Sequence, residues 1–218
     1  MKLNEFISSW EDILDKYSEA RKIVIRQNPN WKEDDPRIAI FGLTGNVLVS
    51  GLINAKLFKS CLIDKEWWRN YISGISEENI QKQADQYIIH TKTMTYILFF
   101  SYFESEFRRL FLLVLPGQCN NGTDSFSNLY NKLLKHLDSQ QFLPLLDLSR
   151  ELRNLIHNNG RYISKLLNDK EIEYKGVLYA FVHGRQIDFA YQELFFLIYK
   201  DILEFLEYLV NHKDIRRL

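Results

Sequence analysis

The 218-residue chain is 46% hydrophobic and 26% charged, a globular composition long enough for one domain, with at most an added subdomain, and a sizeable core. Its 28 basic and 28 acidic residues cancel, which excludes a bulk electrostatic binder of DNA or membranes and leaves nucleic acid to a local, salt-sensitive patch. The two cysteines, Cys61 and Cys119, match no metal-ligand or redox spacing and fit a reducing compartment. The opening Met1-Lys2-Leu3-Asn4-Glu5 lacks the basic-then-apolar form of a signal peptide, so a cytoplasmic location is expected.

Leu3, Phe6, Ile7, Trp10, Ile13, Leu14 and Tyr17 recur at three- and four-residue steps and predict a first helix. Asn28-Pro29-Asn30 ends it, and Asp34-Asp35-Pro36 is a second break. Arg37 to Asp64 reads either as a tightly packed helix or as short strands, because Gly42, Gly45 and Gly51 interrupt a run rich in Val, Leu and Ile. Phe41-Gly42-Leu43-Thr44-Gly45-Asn46 looks superficially like a phosphate loop. It lacks the Gly-Lys-Ser/Thr ending that grips phosphate and magnesium, and is rejected. Trp67-Trp68 has no basic cluster around it, so packing is expected rather than base stacking.

A long helix is expected from Ser76, a capping residue followed by Glu77 and Glu78, to Leu115, where Pro116-Gly117 stops it. Tyr96 to Leu115 is read as the most apolar stretch. Glu104, Glu106, Arg108 and Arg109 near its middle favour a buried helix over a membrane span. Asn120-Asn121-Gly122 marks the turn of a polar loop, a short helix covers about 128–137, and a further helix starts near Pro144. Gly160 suits that helix's left-handed cap. Ile172 and Tyr174 before Lys175-Gly176, then the strand formers of Val177 to Val182, predict a small hairpin with another turn at His183-Gly184. A last helix carries Leu194, Phe195, Ile198, Ile202, Phe205, Leu206 and Leu209 on one face. The fold class is all-α with one small hairpin.

The helix after Pro144 carries the chemistry. At about 100° per residue, Leu145, Leu148, Leu152, Leu155 and Ile156 share one arc, and Arg150, Arg153, Asn154 and His157 share another on the far side. Their i, i+3, i+4, i+7 spacing lets all four address one point. Guanidinium groups bind non-bridging phosphate oxygens and offset charge in a phosphodiester transition state. Histidine exchanges protons near neutral pH, and asparagine can orient the phosphate or fix the imidazole tautomer. RNA brings its own 2′-hydroxyl nucleophile, so no metal or other cofactor is expected. The structural alternative is that the same face bonds to carboxylates and carbonyls of neighbouring segments.

Leu152-Arg153-Asn154-Leu155-Ile156-His157-Asn158-Asn159-Gly160 resembles the signature segment of the HEPN-domain superfamily, the helical higher-eukaryote-and-prokaryote nucleotide-binding proteins. Phe99-Phe100-Ser101-Tyr102-Phe103-Glu104-Ser105-Glu106-Phe107-Arg108-Arg109-Leu110 is similar to the partner helix of many members, where an acidic residue in an aromatic setting faces the signature helix. The resemblance spans Ser76 to Asn211. It implies an up-down helical bundle over 76–218, with 1–75 an N-terminal helical extension packed on it or part of one single domain. It further implies a homodimer and, in active members, a metal-independent ribonuclease of toxin–antitoxin, abortive-infection or CRISPR-type defence. The family motif is an arginine, four to six residues, then a histidine. Arg150 to His157 fits with six residues between, whereas Arg153 to His157 has three but the typical Arg-Asn start, so two candidates for the catalytic arginine stand.

The resemblance thus implies His157 as general acid/base, Arg150 and Arg153 as phosphate contacts and Asn154 as positioning group, with Glu104 and Asn158 in support. Glu104 and Glu106 are candidates to pair with either arginine. His90, His136, His183 and His212 have no ligand-like spacing and are expected at the surface or in hydrogen bonds. The expected partners are RNA, a second copy of the chain, and an antitoxin or other protein. One rival reading is a non-catalytic helical module that binds a nucleotide, RNA or a protein partner. Another makes the stripe structural and puts the site between Gly42 and Gly51.

Overall fold

A computed structural model describes residues 3–119, 124–187 and 192–218, and these are mostly helical with one two-stranded antiparallel sheet. Helix α1 (Leu3–Gln27) buries Phe6, Ile7, Trp10, Ile13 and Tyr17, with Leu14 half-buried, along the face its spacing predicts. Helix α2 (Pro36–Leu57) resolves the ambiguous stretch in favour of a packed helix, continued by a π-helical turn over Phe58–Leu62. It packs against both α1 and α4 (Glu77–Val114), so apolar residues occupy several of its sides and the usual one-face period is lost. Gly51 is a contact point in that packing. A Cβ there would lie 2.6 Å from the buried Trp10 indole, so the glycine permits the approach of the two helices.

Pro36–Leu62 is also the helical run, among the described residues, long and apolar enough to cross a membrane, and half of its apolar window is buried within the molecule. That apolarity was expected at Tyr96 to Leu115; the charges there move the criterion to α2. Asp35 starts α2 by accepting the Arg37 backbone N–H at 2.9 Å. Its carboxylate then grips the Arg37 guanidinium through Nε at 2.9 Å and Nη2 at 2.6 Å. Nη1 donates to the Ile215 carbonyl at 3.0 Å, and the guanidinium lies over the Trp31 ring. This closed clamp ties the start of α2 to the far end of the chain.

Helix α3 (Lys65–Tyr71) packs Trp67 and Trp68 onto a small cluster of Phe58, Leu62 and Ala84, as expected of packing residues. Ser76 caps α4 by accepting from Asn79 N, and the helix ends at Val114 before Pro116-Gly117. Helix α5 (Phe126–His136) begins two residues earlier than predicted because Ser125 caps it. The turn expected at Asn120-Asn121-Gly122 lies outside the described residues. Helix α6 runs Leu143–His157, and α7 (Gln192–Asn211) buries all seven residues of its predicted face. A short α8 (Lys213–Arg216) closes the chain, with His212 Nδ1 accepting from Asp214 N.

One continuous core runs from Phe6 on α1 to Ile215 on α8. Its centre is aromatic: Phe99, Phe100, Phe103, Phe107 and Phe111 of α4 are fully buried beside Phe126, Tyr199 and Phe205. Strands β1 (Lys170–Tyr174) and β2 (Val177–Phe181) pair with Ile172 opposite Tyr179, turning through Lys175 and Gly176, both left-handed. Ile172, Tyr174, Tyr179 and Phe181 face inward, so the hairpin closes one side of α6.

Candidate functional site

The C-terminal half of α6 ends in a tight reversal that fixes where its last side chains point. Asn159 N–H donates to the Ile156 carbonyl at 3.2 Å and Gly160 N–H to the Leu155 carbonyl at 2.8 Å. This is a Schellman closure in which Asn159, at φ 54°, takes the left-handed cap position expected of Gly160. Gly160 follows at φ 78° and turns the chain into a loop over residues 161–169. That loop is pinned at its base by the Arg161–Gln186 bridge, by Tyr162 N–H to the Arg185 carbonyl and by Gly184 N–H to the Tyr162 carbonyl. His183 adds to the anchorage: its Nδ1 accepts from Ser164 N at 3.1 Å and its own N–H donates to Asp169 at 2.8 Å.

Between α6 and this loop lies a cleft of about 880 Å³. Arg150, Arg153, Asn154, His157 and Asn158 all line it, so the predicted stripe and its neighbour share one concave surface. The loop and hairpin contribute Tyr162, Lys165 and Lys170, which the sequence reading did not single out. His157 and Asn158 are exposed in the last turn and cap of α6, and among the described residues no hydrogen bond or ion pair holds the His157 ring.

The stripe does not converge on one empty point; neighbouring carboxylates divide it in two. On one side Arg153 Nη2 donates to Glu104 Oε2 at 2.6 Å and lies over the Phe100 ring. The other oxygen of Glu104 accepts two bonds from Arg108, at 3.1 and 2.6 Å. Arg108 also donates to the Asp124 carbonyl at 3.0 Å. Glu106, the other candidate partner, is buried and pairs with Arg109 instead, at 2.6 Å.

On the other side Arg150 Nη2 donates to Glu151 Oε1 at 2.5 Å and lies 3.9 Å from Asp147. Asn154 donates to the second Glu151 oxygen at 3.4 Å. Lys170, the first residue of β1, reaches the same two carboxylates at 3.1 Å (Glu151) and 3.4 Å (Asp147). Tyr130 of α5 donates its hydroxyl to Asp147. Burial, and then the bond to that carboxylate, push the Tyr130 pKa well up, so the hydroxyl stays a donor. The Tyr162 hydroxyl at the cleft is raised too, by burial first and by the Glu151 charge second.

Glu151, Asp147 and Lys170 were missed for identifiable reasons. Glu151 lies between the polar and apolar arcs of α6 yet is buried, and Lys170 is distant in sequence. A signal for Lys170 was available: it shares strand parity with the inward-facing Ile172 and Tyr174. His90 and His136 are exposed on their helices, while His183 and His212 serve as backbone caps. Among the described residues no group of three or more His, Cys, Asp or Glu side chains is placed to hold a metal ion. The Gly42–Gly51 segment, the rival location, lies within helix α2, with Thr44, Gly45, Val47, Leu48 and Gly51 buried in the helix packing and Asn46 and Ser50 exposed. Compared with family models, with characterised proteins and with solved structures, the chain matches none of them.

Proposed function

We propose that the cleft is the active site of a metal-independent, HEPN-like endoribonuclease acting on single-stranded RNA in the cytoplasm, in a prokaryotic defence or toxin–antitoxin setting. The observation that carries this reading is a cleft lined by two arginines, an asparagine and an exposed histidine from α6 together with Lys165 of the loop and Lys170 of the hairpin. His157 takes the proton of the attacking 2′-hydroxyl or gives one to the leaving 5′-oxygen, and the product is a 2′,3′-cyclic phosphate. Arg150 and Arg153 bind the non-bridging oxygens, whose charge rises in the transition state. Glu104 orients Arg153 and Glu151 orients Arg150 and Asn154. Asn158, at the helix cap, lines the same cleft.

The reading includes a second copy of the chain, as the resemblance implies. Met94, Leu98 and Tyr102, exposed at four-residue steps on the helix that carries Glu104, give an apolar stripe that a second copy could cover. The test is cleavage of single-stranded RNA by purified protein in EDTA. His157→Ala should lower the rate by about 10²–10⁴-fold while leaving the melting temperature unchanged. Equal cleavage by wild type and variant would remove His157 from the mechanism.

A specific observation favours a second reading. Both arginines are already engaged by carboxylates, and no described side chain orients His157. A non-catalytic module that holds RNA or a protein partner uses the same cleft without chemistry. It gives stable RNA association and no cyclic-phosphate product.

A further inference from the structure

Each arginine of the stripe shares its carboxylate with a second cation. Glu104 accepts from Arg153 through one oxygen and from Arg108 through the other. Glu151 accepts from Arg150 and from Lys170, and Asp147 again receives Lys170. Glu104 and Glu151 are largely buried, with side chains 16% and 7% exposed. Withdrawing the sole cation from such a carboxylate strands a charge, which is strongly unfavourable. Here neither carboxylate would be stranded.

From this we infer that Lys170 and Arg108 are positioning residues that make Arg150 and Arg153 available to an incoming phosphate. They do so by keeping Glu151 and Glu104 neutralised when the arginines turn to the ligand. The inference rests on the reading of the cleft as a phosphodiester site but does not require cleavage. Arg150 is poised for such a turn: its Nε is buried without a partner among the described residues, and it holds Asp147 only at 3.9 Å. Arg153 makes one side-chain hydrogen bond and leaves other guanidinium donors unused among the described residues. Without Lys170, Arg150 is the one cation, among the described residues, left to two carboxylates, and the guanidinium is held in place against any anion.

The test is a double-mutant cycle read by binding of a short fluorescent 2′-O-methyl oligouridylate, which lacks the nucleophile and cannot be cut. Lys170→Met should weaken binding by about tenfold. In a background carrying both Glu151→Gln and Asp147→Asn the same Lys170→Met change should cost less than about twofold, because neither carboxylate is left to recapture Arg150. A lysine that touched the phosphate directly would cost the same factor in both backgrounds, and that result overturns the inference. Arg108→Met with and without Glu104→Gln gives a second, independent cycle should the Lys170, Glu151 or Asp147 variants fold poorly. No binding of the probe by wild type overturns both this inference and the phosphodiester reading. Binding with the predicted cycle but no cleavage of ordinary RNA sinks only the nuclease.

Discussion

Arg37 and Arg153 are both held by a carboxylate at 2.6 Å, but their surroundings differ in kind. Arg37 uses all three guanidinium nitrogens on Asp35 and the Ile215 carbonyl, with 6% of its side chain exposed. Arg153 makes one hydrogen bond, is 27% exposed and stands in the wall of a cleft, and its carboxylate has another cation. A guanidinium whose three nitrogens are all engaged inside the fold acts as a staple between chain segments. One with donors left over, beside open volume, remains able to serve a ligand. The pairing distance is the same, so what separates the two arginines is the company each keeps.

The sharpest way to break this comparison is to delete each arginine and measure stability. Arg37→Ala takes the guanidinium away from the Asp35 carboxylate and the Ile215 carbonyl and should cost about 3–5 kcal/mol in urea unfolding, the range for breaking a buried pair. A cost near zero would show that the clamp is no staple. An intermediate effect concerns acid. Burial raises the Asp35 carboxyl, but the hydrogen bonds and charge of Arg37 outweigh it and hold it below its ordinary range. A lowered folded pKa adds stability that is full above the unfolded value of about 4 and is lost as pH falls through the lowered one. Asp35→Asn should therefore flatten the acid limb of the stability profile, and an unchanged limb would assign that sensitivity to other carboxylates. The smallest effect is expected for Arg153→Met. Glu104 retains Arg108, so the loss should stay within about 1 kcal/mol although the variant no longer binds RNA well. A loss as large as that of Arg37→Ala would erase the distinction.

Much of the architecture was legible where a single face is buried. The periodicity of α1 and α7, the Ser76 cap, the Pro116-Gly117 stop and the Lys175-Gly176 turn all read directly from side-chain chemistry. The α2 region did not, because a helix covered by α1 and α4 shows no polar face and its glycines mark close packing where breaks were an option. Four residues of the candidate site and Asn158 were brought to one cleft as the stripe suggested. The acidic partners were only half legible. Glu104 was picked out, whereas Glu151 acts from the next position on the same helix and Lys170 from a strand whose register had first to be set.

The loop opposite α6 is tied at both ends, through the Arg161–Gln186 bridge and through the two bonds of His183. Its tip exposes the Leu166 and Leu167 side chains, at 82% and 74%, while both of their backbone N–H groups are held by Ser164. Most of the conformational entropy of shaping the cleft wall is thus lost during folding, before any ligand arrives. A ligand docking there would meet a wall already ordered, which favours rapid, reversible encounters over slow gated capture.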